Sequence, residues 1–88
     1  MNKKVNVWDT YVTRKDGSIM HFDILTPVGV VDEDQVHSFG KAYLSTKGEE
    51  GQPLSAKECK FCHVDSILPQ WEKELADNGY LIIEMEGC

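Results

Sequence analysis

Residues 5–26 read Val5-Asn6-Val7-Trp8-Asp9-Thr10-Tyr11-Val12-Thr13-Arg14-Lys15-Asp16-Gly17-Ser18-Ile19-Met20-His21-Phe22-Asp23-Ile24-Leu25-Thr26, and their pattern decides the fold. Residues 5–13 alternate and carry Val5, Val7, Trp8, Tyr11 and Val12, all strand formers. Asp16-Gly17 is a turn signal. Residues 19–26 make a second strand, which Pro27 and Gly29 end. Together they predict an antiparallel hairpin. A three-residue loop, Lys15-Asp16-Gly17, pairs Arg14 with Ser18 and puts Trp8, Thr10 and Val12 on one face with Met20, Phe22 and Ile24. That face is nearly all apolar and is the expected core side. A two-residue turn would mix polar and apolar residues on both faces. The opposite face then carries Asp9, Tyr11, His21 and Asp23, with Asp9 facing Asp23 and Tyr11 facing His21.

Working outward, Asp32 is an N-cap signal, with Gln35 three residues on as a capping box and Val31 and Val36 placed for a hydrophobic staple. Val36, Phe39, Gly40, Tyr43 and Leu44 follow at helical spacing, and Gly48 is a natural stop. Residues 49–64 are the least regular stretch, and spacing leaves Ser55–His63 open between a helical turn and an extended piece. A second helix is expected to start near Asp65 or Ser66, with Pro69 in its first turn and Leu68, Trp71 and Leu75 as its buried stripe. Asn78-Gly79 ends it. Tyr80–Met85 reads as a strand, apolar on both faces and so suited to the middle of the sheet, beside the first strand. The expectation is a single α+β domain over 1–88, in the order β-β-α-loop-α-β, with both helices on one face.

Composition narrows the function classes. A net charge of −6 repels phosphate backbones, and the basic clusters Lys3-Lys4 and Arg14-Lys15 are too short for a nucleic-acid stripe. No stretch is apolar for long enough to span a bilayer, and the amino-terminal residues lack the apolar core of an export signal. A cytosolic protein without nucleic-acid or membrane partners is expected. Three cysteines cannot all pair, which argues against a secreted disulfide scaffold.

Two constellations could carry chemistry. Cys59-Lys60-Phe61-Cys62-His63 places two thiols and an imidazole close together, and the chain closes on Cys88. Cys59, Cys62, His63 and Cys88 are candidate zinc ligands: Cys59 and Cys62 supply two, Cys88 or His63 a third, and His37 or His21 a fourth; no second knuckle occurs. The same segment could serve as a dithiol redox pair, although the strand context of thioredoxin is missing. It also has the spacing of covalent haem attachment, which is made outside the cytosol. The plain alternative is that the cysteines are small buried side chains. The second constellation is Asp9, Tyr11, His21 and Asp23. Facing carboxylates raise one another's pKa, and two carboxylates with an imidazole suit a divalent metal or a general acid. A polar sheet face in water is its plain reading. No nucleophile elbow, P-loop or dinucleotide glycine pattern occurs.

The chain resembles a family of short bacterial proteins, domain-of-unknown-function family 2024. The resemblance rests on Val7-Trp8-Asp9-Thr10-Tyr11-Val12, Met20-His21-Phe22-Asp23, Glu58-Cys59-Lys60-Phe61-Cys62-His63, and Gly79-Tyr80 with Met85-Glu86-Gly87-Cys88. It implies one compact α+β domain and no particular activity, and it places Asp9, His21, Asp23, Cys59, Cys62, His63 and Cys88 within family motifs. The leading functional expectation is a small thiol module that binds zinc or cycles a dithiol. The alternative is an interaction or self-association module, with the last strand pairing across a dimer. A third is an enzyme using Asp9, His21 and Asp23.

Overall fold

The computed structural model describes residues 4–88; Lys3 of the basic Lys3-Lys4 pair lies outside the described residues. Four antiparallel strands, β1 (Lys4–Thr13), β2 (Ile19–Pro27), β3 (Cys59–Ser66) and β4 (Leu81–Glu86), form one sheet in the order β3-β1-β2-β4. Two helices, α1 (Glu33–Thr46) and α2 (Pro69–Asn78), complete an α+β domain.

The hairpin forms in the expected register, with Trp8 opposite Ile24, Thr10 opposite Phe22 and Val12 opposite Met20. The Arg14 N–H donates to the Ser18 carbonyl at 2.7 Å, closing the three-residue loop. Its apolar face packs under α1, whose Val36 and Leu44 join Trp8, Val12, Met20, Phe22 and Ile24 in the main core. Buried polar atoms on this face find partners: the Trp8 indole N–H donates to Thr26 Oγ1 at 3.0 Å. Gly40 lets α1 pack closely here, since a Cβ there would lie 2.5 Å from a Leu54 methyl and 3.1 Å from Ile24 Cδ1.

Helix α1 starts as expected, with the Asp32 carboxylate accepting from the Asp34 N–H at 3.0 Å. The staple does not form, because Val31 stays exposed while Val36 is buried. At the other end Gly48 N–H reaches the Ser45 carbonyl and Glu49 N–H the Leu44 carbonyl, a Schellman closure.

Residues 59–66 are the edge strand β3, so the part up to His63 takes the extended of its two open readings and the helix start expected near Asp65 or Ser66 is strand instead; spacing does not separate these alternatives. The physical reason is a bulge. Val7 pairs with His63 and Trp8 with Phe61, so Cys62 is an extra residue without a partner on β1. One added residue breaks the alternation that would have marked a strand. Helix α2 therefore begins later than expected, at Pro69, and Ile67 rather than the exposed Leu68 is buried beside Leu75.

Two further expectations are corrected. Strand β4 lies at the sheet edge beside β2, not beside β1, whose second edge β3 occupies. It is apolar on both sides because each side meets a cluster: Ile82 packs with the α1 core, while Leu81 and Ile83 pack with Val5, Val7, Leu25 and Leu75. The helices accordingly sit on opposite faces of the sheet rather than on one. Val5, Val7 and Leu25 alternate onto the face opposite Phe22, and this apolar half-face holds α2 through Leu75 and Trp71.

Candidate functional site

Helix α2 covers only one half of its face. The other half carries Asp9 and Tyr11 of β1 and His21 and Asp23 of β2, cross-strand partners in the expected register. Helix α1 seals the opposite side, so these four residues stand on a rigid support and face outward.

The imidazole of His21 lies between the two carboxylates. Its Nε2 is 2.5 Å from Asp9 Oδ1 and 3.9 Å from Asp23 Oδ1. The Tyr11 ring stacks on it, with centroids 4.1 Å apart and planes within 10°. That stacking restricts the imidazole plane and keeps Nε2 aimed at the carboxylates. One ligand atom from each of Asp9, His21 and Asp23 lies within 4.8 Å of the others, and among the described residues this is the one group of three or more His, Cys, Asp or Glu so gathered. All three side chains are half-buried.

Electrostatics sets Asp23 apart. Partial burial and the facing Asp9 charge push its carboxyl above the usual range, while His21 and, more weakly, His63 pull it back. His63 is on the same face, opposite Val7, and its Nε2 lies 3.5 Å from Asp65 Oδ2. The fully exposed Asp65 carboxyl is held low, chiefly by the Ser66 N–H and then by His63. Asp23 and His63 also line a groove of about 240 Å³ that runs beneath Trp71 over Val7, Leu25 and Ile83. A larger hollow of about 510 Å³, beside Pro53 and Leu54, has no His or Cys in its lining.

The thiols are dispersed. Cys59 faces the α1 side and is buried there; Thr10 Oγ1 donates to its Sγ at 3.3 Å, and burial pushes its pKa up. Cys62 is exposed at the bulge, and Cys88 lies at the far edge with its thiol 3.4 Å from the His21 carbonyl. His63 points to the opposite face from Cys59, as their partners Val7 and Thr10 do. The structure thus does not gather Cys59, Cys62, His63 and Cys88. His37 is buried in α1 with Nε2 unpartnered, and among the described residues it is not gathered with Cys59, Cys62, His63 or Cys88.

Spacing missed His63 and the apolar groove as neighbours of the Asp9–His21–Asp23 group. The alternation of Val5, Val7 and Leu25 on the polar face was the signal for the groove, whereas the bulge hid the side to which His63 points.

Comparison with solved structures finds the same fold in the NMR structure of protein NE1680 from Nitrosomonas europaea. The two share 42% sequence identity and a TM-score of 0.84, over 97% of this chain and 98% of that one. No protein of curated function matches. The family model described as "Domain of unknown function (DUF2024)" matches residues 3–85, nearly the whole length, and the chain belongs to that family.

Proposed function

We propose that the protein binds a divalent transition-metal ion, zinc foremost, through Asp9, His21 and Asp23. The observation that carries this reading is the convergence of three ligand atoms within 4.8 Å on one rigid hairpin face. Imidazole with two carboxylates is a borderline-hard donor set that suits zinc, manganese or iron(II). The ion would take the place of the proton that His21 Nε2 shares with Asp9, relieving the repulsion between Asp9 and Asp23 at the same time. Stacking on Tyr11 supplies the outer support that orients a ligating histidine. Three protein ligands leave further coordination positions for water or a small anion, and the groove beside Asp23 and His63 offers space next to them. The thiols support a site less well, with Cys59 buried on the other face and Cys62 isolated on the bulge. A reducing, cytosolic setting suits three free thiols, and the acidic balance of the chain disfavours nucleic acid as a partner.

The test is calorimetric titration of zinc and of manganese into metal-stripped protein, repeated by native mass spectrometry. One equivalent should bind. His21→Ala and Asp23→Asn should each weaken it by about tenfold or more, that is ~1.4 kcal/mol. Cys59→Ser and Cys62→Ser should leave it unchanged. Loss of binding in the cysteine variants but not in His21→Ala would transfer the site to the thiols. No binding by the parent protein would end the metal reading.

A further inference from the structure

Strand β3 has a free outer edge: β1 pairs with its inner side, and among the described residues no strand pairs with the outer one. It presents Phe61 and Val64, each about half exposed (51% and 50%), together with exposed Lys60 and Asp65. Natural edges are usually blunted, and a long edge carrying apolar side chains is a template for another strand.

We infer that β3 pairs with β3 of a second copy of this chain, antiparallel about a two-fold axis between Cys62 and His63, making one continuous eight-stranded sheet. The bulge selects the register. Residues opposite each other in an antiparallel pair point to the same face. In a regular strand paired with its own copy, that requires the two partners to be an even number of residues apart. The extra residue at Cys62 changes the requirement to an odd number for any pair that straddles it. Phe61 and Val64 both alternate with the face of Trp8 and Asn6, while Lys60 and Asp65 both alternate with the face of Asp9 and Val5. Setting Phe61 opposite Val64 of the second copy therefore sets Lys60 opposite Asp65, twice over by symmetry. Each apolar side chain meets an apolar one and each charge meets its opposite, on the correct faces. Sliding the register so that Lys60 meets Lys60, or Asp65 meets Asp65, juxtaposes like charges. The other free edge has no such solution. Strand β4 ends in Glu84-Met85-Glu86, and pairing it with its copy concentrates carboxylates. Self-pairing belongs to β3 rather than to the final strand.

In the free chain Asp65 has nearby partners in the Ser66 N–H and His63, and both remain available beside Lys60 of the second copy. A single strand pair with two apolar contacts is a small interface, so the dimer should be concentration-dependent rather than permanent.

Sedimentation velocity of the full chain over a wide concentration range, at low salt, tests this. The weight-average mass should climb from monomer toward dimer. Lys60→Asp alone should raise the dimer dissociation constant about tenfold or more, because it opposes two carboxylates twice. The charge swap Lys60→Asp with Asp65→Lys should restore dimerisation in the same molecule. Circular dichroism would show each variant folded, as expected for substitutions at exposed positions. A parent chain that stays monomeric throughout would overturn the inference. A dimer that ignores the single reversal, or that the swap fails to restore, would overturn it equally.

Discussion

The two faces of the sheet obey different rules. Under α1 every cross-strand pair at the centre of the hairpin is buried, and Val12, Met20, Phe22 and Ile24 are sealed with Thr10 and Cys59. Under α2 the same two strands are apolar at one end, at Val5, Val7 and Leu25, and polar at the other, at Asp9, Tyr11, His21 and Asp23. The first face supplies stability, and the second borrows it. A carboxylate–imidazole group can stand half-buried with its repulsion only partly offset by His21 because the reverse side of the same backbone is fixed by packing. The difference locates chemistry on the face that the shorter helix leaves partly open.

The largest test breaks the closed face. Phe22 is fully buried, and Phe22→Ala removes its contacts with Tyr43 and the core around it. Urea denaturation should show a loss of about 3–5 kcal/mol. Metal affinity of the fraction still folded should be unchanged if the two faces are independent, and a matching loss of affinity would show that they are not.

A smaller effect is expected at the sheet's edge. Gly87 has φ 71° and packs so closely that a Cβ would lie 2.2 Å from the Ile19 carbonyl oxygen. Gly87→Ala should cost about 1–3 kcal/mol from backbone strain, with the clash in addition. The change would loosen the turn that places Cys88 under His21, so amide exchange in β4 should accelerate before exchange in β1.

Smaller again is the effect of Cys59→Ser. A hydroxyl in place of the buried thiol costs about 1–2 kcal/mol unless it finds a partner as good as Thr10 Oγ1. The same burial predicts thiol reactivity: with a neutral alkylating reagent, exposed Cys62 should be modified quickly and Cys59 only on unfolding. Equal rates at the two cysteines would contradict the burial of Cys59.

The hairpin register and the polar group on its outer face were legible because loop length and alternation fix both together. Asp32 likewise announced α1, and Gly48 its end. Strand β3 was not legible, for a local reason: with Cys62 looped out, Phe61 and Val64 share a face at a spacing of three, which is a helical spacing. The adjacency of Cys59, Cys62 and His63 in sequence suggested convergence, but an extended backbone turns neighbouring side chains to opposite faces. The side of the sheet taken by α2 was written in Val5, Val7 and Leu25, yet those residues look like ordinary strand formers until β3 and β4 are placed beside them.

The smallest effect is also the most discriminating, because its sign depends on what occupies the open face. Asp23 has its carboxyl raised in the folded protein above the ordinary 3.8, first by burial and then by the charge of Asp9. The folded state therefore holds this proton more tightly than the unfolded chain does. Stability from that proton is fully present below 3.8 and is lost as pH rises through the folded pKa, so at neutral pH the ionised Asp23 is a net cost. Asp23→Asn removes the cost. In metal-free buffer the variant should melt slightly higher than the parent at pH 7, and the gap should close as pH falls below 3.8. Saturating zinc should reverse the order at pH 7, since only the parent gains the stabilisation of a bound ligand. A variant that melts lower without metal would mean that Asp23 is held by favourable contacts and that its repulsion with Asp9 is already screened. A gap unmoved by zinc would separate the strained carboxylate pair from any role in binding the ion.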